Sequence, residues 1–472
     1  MNHCLFYPGS QRLAAGRRGA FLLALVSLAP AAVIGQAFGP KTDYTTGALP
    51  YNVVLGDGNG DGRLDLFTVN YGINTVSVRL GTGTGAFGSR ADFPTGFTPL
   101  DVALGDVNGD GRLDLVTAND IPNTVSVLLN TGAGTFGPKT DIPAGAGTFR
   151  VALGDVNGDG RLDIVTANGT SSVSVLLNTG AGTFAPHLDY PTGNRPYGVA
   201  LGDVNGDGRP DIVTANFNAT TVSVLLNTGA GAFGPKTDFS IGSSPDGVAL
   251  GDVNGDGSLD LVTANLNPNT VSVLLNTGAG AFGPHRDYDT GSAPRGVALG
   301  DVNGDGSLDI VTADEIINAV SVLLGTGTGA FGLNNDFLTG VRPYGVALGD
   351  VNGDGRVDLV TANNGANSAS VLLNAPTLSS ARAGLDTAEG SLYPTPARAG
   401  FTVLLPAGAG HPGVPVRAEL VNALGQVVRR QAAAVPAAGM GLAVDATGLP
   451  PGVYTLRLWV GATALAQRLV LQ

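Results

Sequence analysis

The stretch VALGDVNGDGRLDLVTAN, residues 102–119, decides how the rest of the chain is read. It sets two short runs of β-branched and apolar residues on either side of an Asp/Asn/Gly turn, the pattern of two strands joined by a tight loop. The stretch recurs. The loop that opens at Asp106 opens again at Asp57, Asp155, Asp203, Asp252, Asp301 and Asp350, with spacings of 49, 49, 48, 49, 49 and 49. Self-similarity at a period of this size is the mark of a repeat architecture.

Each unit offers four strands: VALGD, LDIVTAN, TVSVLLN and the segment around FGPKTDY. They are apolar on both faces, as expected where each sheet is covered by a neighbour on either side. No helical period occurs. A four-stranded unit of this length is the size of a propeller blade. The expected fold is all-β, a seven-bladed β-propeller followed by a small Ig-like β-sandwich. The array opens on a lone fourth strand, Phe38-Gly39-Pro40-Lys41-Thr42-Asp43-Tyr44, and stops after a third, at Asn374. One end holds what the other lacks, so the N-terminal strand is expected to complete the last blade and close the ring.

The first 37 residues read as a signal peptide. Arg12, Arg17 and Arg18 form a basic stretch, Phe21 to Ile34 an apolar core, and Gly35-Gln36-Ala37 a small-x-small cleavage site. The general secretory route is expected over a twin-arginine route, because Phe21 and Leu22 stand one place late. Cys4 is the only cysteine and lies inside this segment. Cleavage leaves no thiol, hence no disulfide, thiolate metal site or cysteine nucleophile. It also removes three Arg and no acid, taking the net charge from −13 to −16. So acidic a surface excludes nucleic acid as a partner. No transmembrane segment is expected in the mature chain.

The loops carry oxygen side chains at positions 1, 3, 5 and 9, and glycine at 6. In the first copy these are Asp57, Asn59, Asp61 and Asp65, with the Arg63 carbonyl at position 7. The second has Asp106, Asn108, Asp110, Arg112 and Asp114; the third Asp155, Asn157, Asp159, Arg161 and Asp163; the fourth Asp203, Asn205, Asp207, Arg209 and Asp211. Then come Asp252, Asn254, Asp256, Ser258 and Asp260; Asp301, Asn303, Asp305, Ser307 and Asp309; and Asp350, Asn352, Asp354, Arg356 and Asp358. An all-oxygen, flexible, multidentate set suits Ca2+ over Mg2+. About seven structural calcium ions are expected, one per loop. The loop is not an EF-hand: position 12 is Thr117, where that motif has a bidentate Glu, and β-branched residues follow. An ion-free Asx turn is the alternative for any single copy.

The phrase VALGDVNGDGRLDIVTAN with TVSVLLNTGAGTF resembles the FG-GAP/VCBS repeat family, whose best-known fold is the integrin α-subunit propeller. The resemblance covers residues 38–374. It implies that the Asp-rich loop joins strands one and two and binds calcium at the positions just named. Gly58 in the first copy and Pro210 in the fourth depart at positions that supply no ligand. Residues 385–472 resemble the type A C-terminal sorting domain of the type IX secretion system, through LYPTPA at 392–397, LVNALGQVV at 420–428, GLPPGVYTLRL at 448–458 and QRLVL at 467–471. Thr395 and Gln472 depart from the usual motif. A generic Ig-like accessory domain is the alternative for this segment. The resemblance implies engagement of type IX secretion machinery and export across the outer membrane of a Gram-negative bacterium, to be secreted or held at the cell surface. Residues 375–384 read as the linker.

Strands alternate direction, so the calcium loops and the GAGTF loops share one face. The loops from strand two to three and from four to one share the other, where the copies differ. That variable face is the candidate ligand face, represented by Tyr51, Leu100, Phe149, Tyr197, Asp246, Arg295 and Tyr344. Tyr71, Phe217 and Leu266 in the two-to-three loops add to it. Catalysis finds little support: His187 and His285 sit at the repeat position of Lys41, Lys139 and Lys236, on an outer strand, and no nucleophile–base pair is assembled. The expected function is a non-catalytic binding or adhesion module for an extracellular protein or glycan. The alternatives are a carbohydrate-binding, lectin-like or polysaccharide-lyase-type propeller, which the placement of the single Trp, Trp459, outside the repeats does not favour, and a passive structural surface protein.

Overall fold

The structure, a computed structural model, describes residues 38–374 and, further on, 392–393, 400–403, 415–422, 427–434, 442–450, 452–460 and 463–471. The leader expected at 1–37 and the linker expected at 375–384 lie outside the described residues. Among the described residues every regular element is a strand. No helix is long and apolar enough to cross a membrane.

Between Thr42 and Leu372 the strands form seven sheets of four antiparallel strands, consistent with a propeller. In the second repeat these are Pro99–Gly105, Asp114–Asn119, Thr124–Leu128 and Thr140–Pro143. Gly105 pairs with Asp114, and Thr117 with Ser126. The first strand therefore starts three residues before the expected VALGD run. In four repeats a short extra hairpin, such as Asn130–Gly132 with Thr135–Phe136, tips the connection from third to fourth strand.

Burial grades across each sheet. The second strand is buried at every residue in all seven repeats. The fourth is largely exposed. Both faces of the second strand are covered because neighbouring repeats pack on either side. Leu115 packs back onto Phe67, Val69 and Val78 of the first repeat. Val116, one residue on, packs forward with Ile164 and Leu176 of the third. Emptying a position such as Leu115, which has no exposed surface, would cost about 2–5 kcal/mol.

A polar tie runs across each sheet. In the second repeat Asn119 Nδ2 donates to Thr124 Oγ1 and Ser126 Oγ, and Ser126 Oγ donates to Asp141 Oδ1 on the outer strand at 2.6 Å. In the seventh sheet the outer strand is the N-terminal segment Thr42–Thr45, paired Thr42 to Val371 through Thr45 to Ser368. The expected completion of the last sheet by the chain's beginning is observed. The innermost strands lie side by side in repeat order, and Pro343–Gly349 of the last lies against Pro50–Gly56 of the first.

The C-terminal region forms a three-stranded sheet (Leu392–Tyr393, Gly400–Val403, Leu442–Asp445) and a four-stranded one (Val427–Ala434, Pro415–Val421, Gly452–Val460, Thr463–Leu471), all antiparallel.

Candidate functional site

Each Asp/Asn/Gly loop follows the innermost strand of its repeat and leads into the second. In the second repeat Asp106 Oδ1 accepts from the N–H groups of Gly109 and Asp110, and its Oδ2 from Gly111. Asn108 Oδ1 accepts from Asp110 N at 2.9 Å and Asp110 Oδ1 from Arg112 N at 3.0 Å. These nested turns need left-handed backbone at Gly109 (φ 80) and Gly111 (φ 85), which is why glycine stands there. The same bonds recur at Asp57, Asp155, Asp203, Asp252, Asp301 and Asp350. Burial alone would raise the Asp106 carboxyl, but the three N–H groups outweigh it and hold it below the usual carboxylate range, as they do for Asp155, Asp203 and Asp350.

Position 9 behaves differently. Asp114 is fully buried, and its oxygens accept from Val107 N and Asn130 N, pinning the loop to the segment that follows the third strand. All seven position-9 carboxyls are raised. Burial is the main cause, backbone donors oppose it, and the Asp residues at positions 5 and 1 add repulsion. Asp309 is pushed up to about 6.

The loop residues fit a hard cation in kind: every side-chain donor is oxygen, and three carboxylates repel one another around one turn. Two observations bear on how one would be held. Among the described residues no group of three or more His, Cys, Asp or Glu converges closely enough to hold a metal ion as it stands. The position-7 arginines, chosen from sequence for their carbonyls, also turn their guanidinium groups onto the position-5 carboxylate. Arg112 Nη2 meets Asp110 Oδ2 at 2.6 Å, with Arg161–Asp159, Arg209–Asp207 and Arg356–Asp354 at 2.5 Å and Arg63–Asp61 at 3.7 Å. Ser258 and Ser307 leave Asp256 and Asp305 without such a partner. A bound ion would draw the carboxylates together and compete with those arginines.

The seven candidate ligand-face residues come together at the start of the innermost strands. Six of them make contacts with one another. Leu100, Phe149, Asp246 and Tyr344 are buried; Tyr51, Tyr197 and Arg295 are half-buried. Tyr51 meets Tyr344 edge-on at 5.0 Å, and Phe149 stacks on Tyr197 at 4.7 Å. Arg295 lies over the Tyr344 ring at 4.4 Å, donates to Asp246 at 2.9 Å and pairs with Glu315 at 2.6 Å. Burial and the Asp246 charge push the Tyr51 hydroxyl up. Arg150, which sequence reasoning missed, reaches from the third repeat over the ring of Tyr51 in the first, at 5.5 Å. The signal was available: at its repeat position four copies have glycine.

The side chains that this face leaves exposed are others: Leu49, Tyr71, Ile73, Phe97, Ile121, Ile316, Ile317 and Val341. All lie in two-to-three or four-to-one connections, and all come from repeats six, seven, one and two. Repeats three to five carry small and polar residues there, with Phe217 and Leu266 half-buried. His187 and His285 stand one residue before the outer strands on which they were expected, 2.9 Å from Asp189 and 3.0 Å from Asp287.

Comparison with known proteins places these features. The FG-GAP-like repeat model matches at residues 57–117, 106–166, 155–214, 203–263, 252–312 and 301–361, together more than half of the chain. The secretion system C-terminal sorting domain matches residues 391–472. No curated protein matches. Among solved structures, BBS1N in complex with ARL6DN aligns with a TM-score of 0.54 at 12% identity, over 72% of this chain and 98% of that one. An Agrocybe aegerita lectin that recognises non-reducing terminal N-acetylglucosamine aligns with a TM-score of 0.46 at 21% identity, over 70% and 96%. A functionally unknown protein from Desulfotomaculum acetoxidans aligns with a TM-score of 0.45 at 14% identity, over 63% and 96%. At 12% identity the likeness to BBS1N is one of fold alone. The chain belongs to the FG-GAP-like repeat family, and its sorting domain marks it for export through the type IX secretion system to the cell surface or beyond.

Proposed function

We propose that the mature chain is a calcium-rigidified, seven-bladed, closed propeller that serves as a non-catalytic binding or adhesion module outside the cell. In this reading residues 38–374 form the propeller, 375–384 the linker and 385–472 the sorting domain, an Ig-like sandwich that is removed or retained after export. Calcium is structural. Each loop would hold it through the side chains at positions 1, 3, 5 and 9 and the carbonyl at 7, joining the first and second strands of its blade.

The observation that carries the binding role is the asymmetry of the two faces. The calcium-loop face repeats the same bonds seven times over, as a scaffold does. The opposite face gathers exposed apolar and aromatic side chains, Phe97, Ile121, Tyr71 and Ile316 among them, on one half only. Exposed apolar side chains gathered on one side of an exported protein's face offer a contact surface to a partner. The buried cluster of Arg150, Asp246, Arg295 and Tyr344 then supports that surface from beneath. Calcium-loaded protein should bind host or neighbouring-cell matrix proteins and give a blank glycan array. Array signal for one sugar class, without matrix binding, would replace this reading with the lectin-like one.

A further inference from the structure

A strand at the rim of a sheet carries unpaired N–H and C=O groups along its outer edge, and natural sheets guard such edges with proline, basic side chains or shortness. The fourth strand of each repeat is such an edge: among the described residues no strand lies beyond it. Five copies guard it alike. Pro40, Pro138, Pro186, Pro235 and Pro284 stand two residues after the phenylalanine that opens the segment, and the strand that follows is four residues long. A basic residue comes next, Lys41, Lys139, His187, Lys236 or His285, beside the aspartate two residues on. In the first repeat Ser89 replaces the proline, but Arg90 meets Asp92 at 3.1 Å and Pro94 ends the strand.

The sixth repeat has neither the proline nor the basic residue. Its fourth strand, Phe331–Leu338, runs eight residues. Leu333 takes the proline position and is 90% exposed; Leu338 ends the strand and is 73% exposed. Asn334 takes the basic position, and its Nδ2 donates to Asp336 Oδ1 at 2.9 Å. Asp336 is exposed, and it alone of the seven aspartates at this position has no basic partner among the described residues. Ser321, which touches Asp336, also touches the buried Asp314, where the other six copies have Asn. This sheet therefore carries one more acid and one fewer basic group than its neighbours at the matching positions. A register shift lies between Phe331 and Asn334, and from Asn334 to Leu338 the ladder is regular.

We propose that the outer edge of the sixth sheet binds an extended segment of another protein, apolar except for one Lys or Arg that lies opposite Asp336. Main-chain bonds along Asn334–Leu338 supply affinity, and the side chains select the partner. A basic residue opposite Asp336 makes a favourable cross-strand pair, whereas an acid there is repelled. Leu338 stands two residues from Asp336 on the same side of the strand, so it meets an apolar neighbour of that Lys or Arg. A second copy of this chain suits the edge less well, because self-pairing brings two Asp336 carboxylates without basic partners onto one short ladder. The edge is on the rim of the sheet, and its use depends on neither loop face and on no bound ion.

The test is a titration of the mature protein with a labelled synthetic peptide of about ten residues, alternating Val and Thr around one central Lys, read by fluorescence anisotropy. A second peptide carries Glu in place of that Lys. The Lys peptide should bind once per chain with Kd below about 200 μM, and the Glu peptide at least about tenfold more weakly. Asn334→Lys installs the basic residue that other repeats carry and should weaken the Lys peptide at least about tenfold with the melting temperature unchanged; Leu338→Lys should act the same way. Leu188→Lys, at an exposed leucine of the third repeat that Pro186 and Pro191 bracket, should leave binding unchanged. Absence of binding by the Lys peptide, equal binding of the Glu peptide, or binding that survives both sixth-repeat variants overturns the proposal. A dimer of the protein alone in sedimentation, dissolved by Asn334→Lys, overturns it too, by giving the edge to a second copy.

Discussion

Ser370 donates its hydroxyl hydrogen to Asp43 at 2.6 Å across 327 residues of sequence. In the second repeat the same bond joins Ser126 to Asp141 within a single unit. The N-terminal strand therefore stands in the seventh sheet as an ordinary fourth strand. It is held by its own ladder and by the Phe38–Asn374 bridge. Asp43→Ala removes the acceptor and should lower stability by about 1–3 kcal/mol. Deleting residues 38–45 removes the whole strand and should lower the melting temperature much further. Equal melting of the deletion and the intact protein would show that the strand is dispensable.

Asp314 predicts an unusual pH response. Six repeats end the second strand in Asn; the sixth has a buried Asp, pushed up to about 7 chiefly by burial. Ser321 Oγ lies 2.6 Å from Asp314 and 2.7 Å from Asp336, and one hydroxyl hydrogen cannot serve both. A protonated Asp314 relieves the conflict by donating. Because the folded carboxyl lies above its unfolded value, its contribution is full below about pH 4 and is lost as pH rises through about 7. Asp314→Asn should therefore stabilise the protein by on the order of a few kcal/mol at pH 8 and make little difference at pH 4. Urea melts of both proteins at the two pH values check this; equal gains at both would contradict it.

The seven loops should not fill with calcium alike. Where the position-7 residue is Arg, its guanidinium already neutralises the position-5 carboxylate; at Ser258 and Ser307 nothing does. The fifth and sixth loops should bind first. Ser258→Arg and Ser307→Arg together should weaken the tightest class of sites by a factor of about two to five, as befits an exposed ion pair. Calorimetric calcium titrations of both proteins measure it, and unchanged tight sites would mean that the arginines do not compete.

Partner contact should map to the exposed half of the variable face. Phe97→Asp and Ile121→Asp replace side chains that are 67% and 62% exposed, so folding should be unaffected. Each should weaken matrix binding by at least about tenfold. Asn218→Asp, on the polar half of the same face, should not. Equal loss with all three variants would place the contact elsewhere.

Much of this was legible in the sequence, because the repeat writes each strand and loop seven times over. The strands around Leu115 and Val116, the turn at Gly109 and Gly111, and the fit of residues 38–44 to the last sheet could all be read from spacing. The packing at the axis could not. Tyr51, Arg150, Asp246 and Tyr344 lie in different repeats and meet only because the innermost strands stand side by side in a ring. Residues that vary between copies looked like free loop positions, yet several are buried supports. The second role of the position-7 arginines was also hidden, since a backbone carbonyl can be inferred from loop pattern but the direction of a long side chain cannot.

In the proposed function calcium holds the loops and the loops hold the propeller. At millimolar calcium and a Kd of about 10⁻⁴–10⁻³ M each site contributes roughly 0.4–1.4 kcal/mol. The most direct test is thermal melting of the mature protein in 1 mM calcium, on the order of the extracellular level, and after exhaustive chelation. A drop in melting temperature of about 4–14 degrees on chelation, restored by added calcium and not by the same magnesium, is the predicted result. Coincident melting curves with and without calcium would contradict the account.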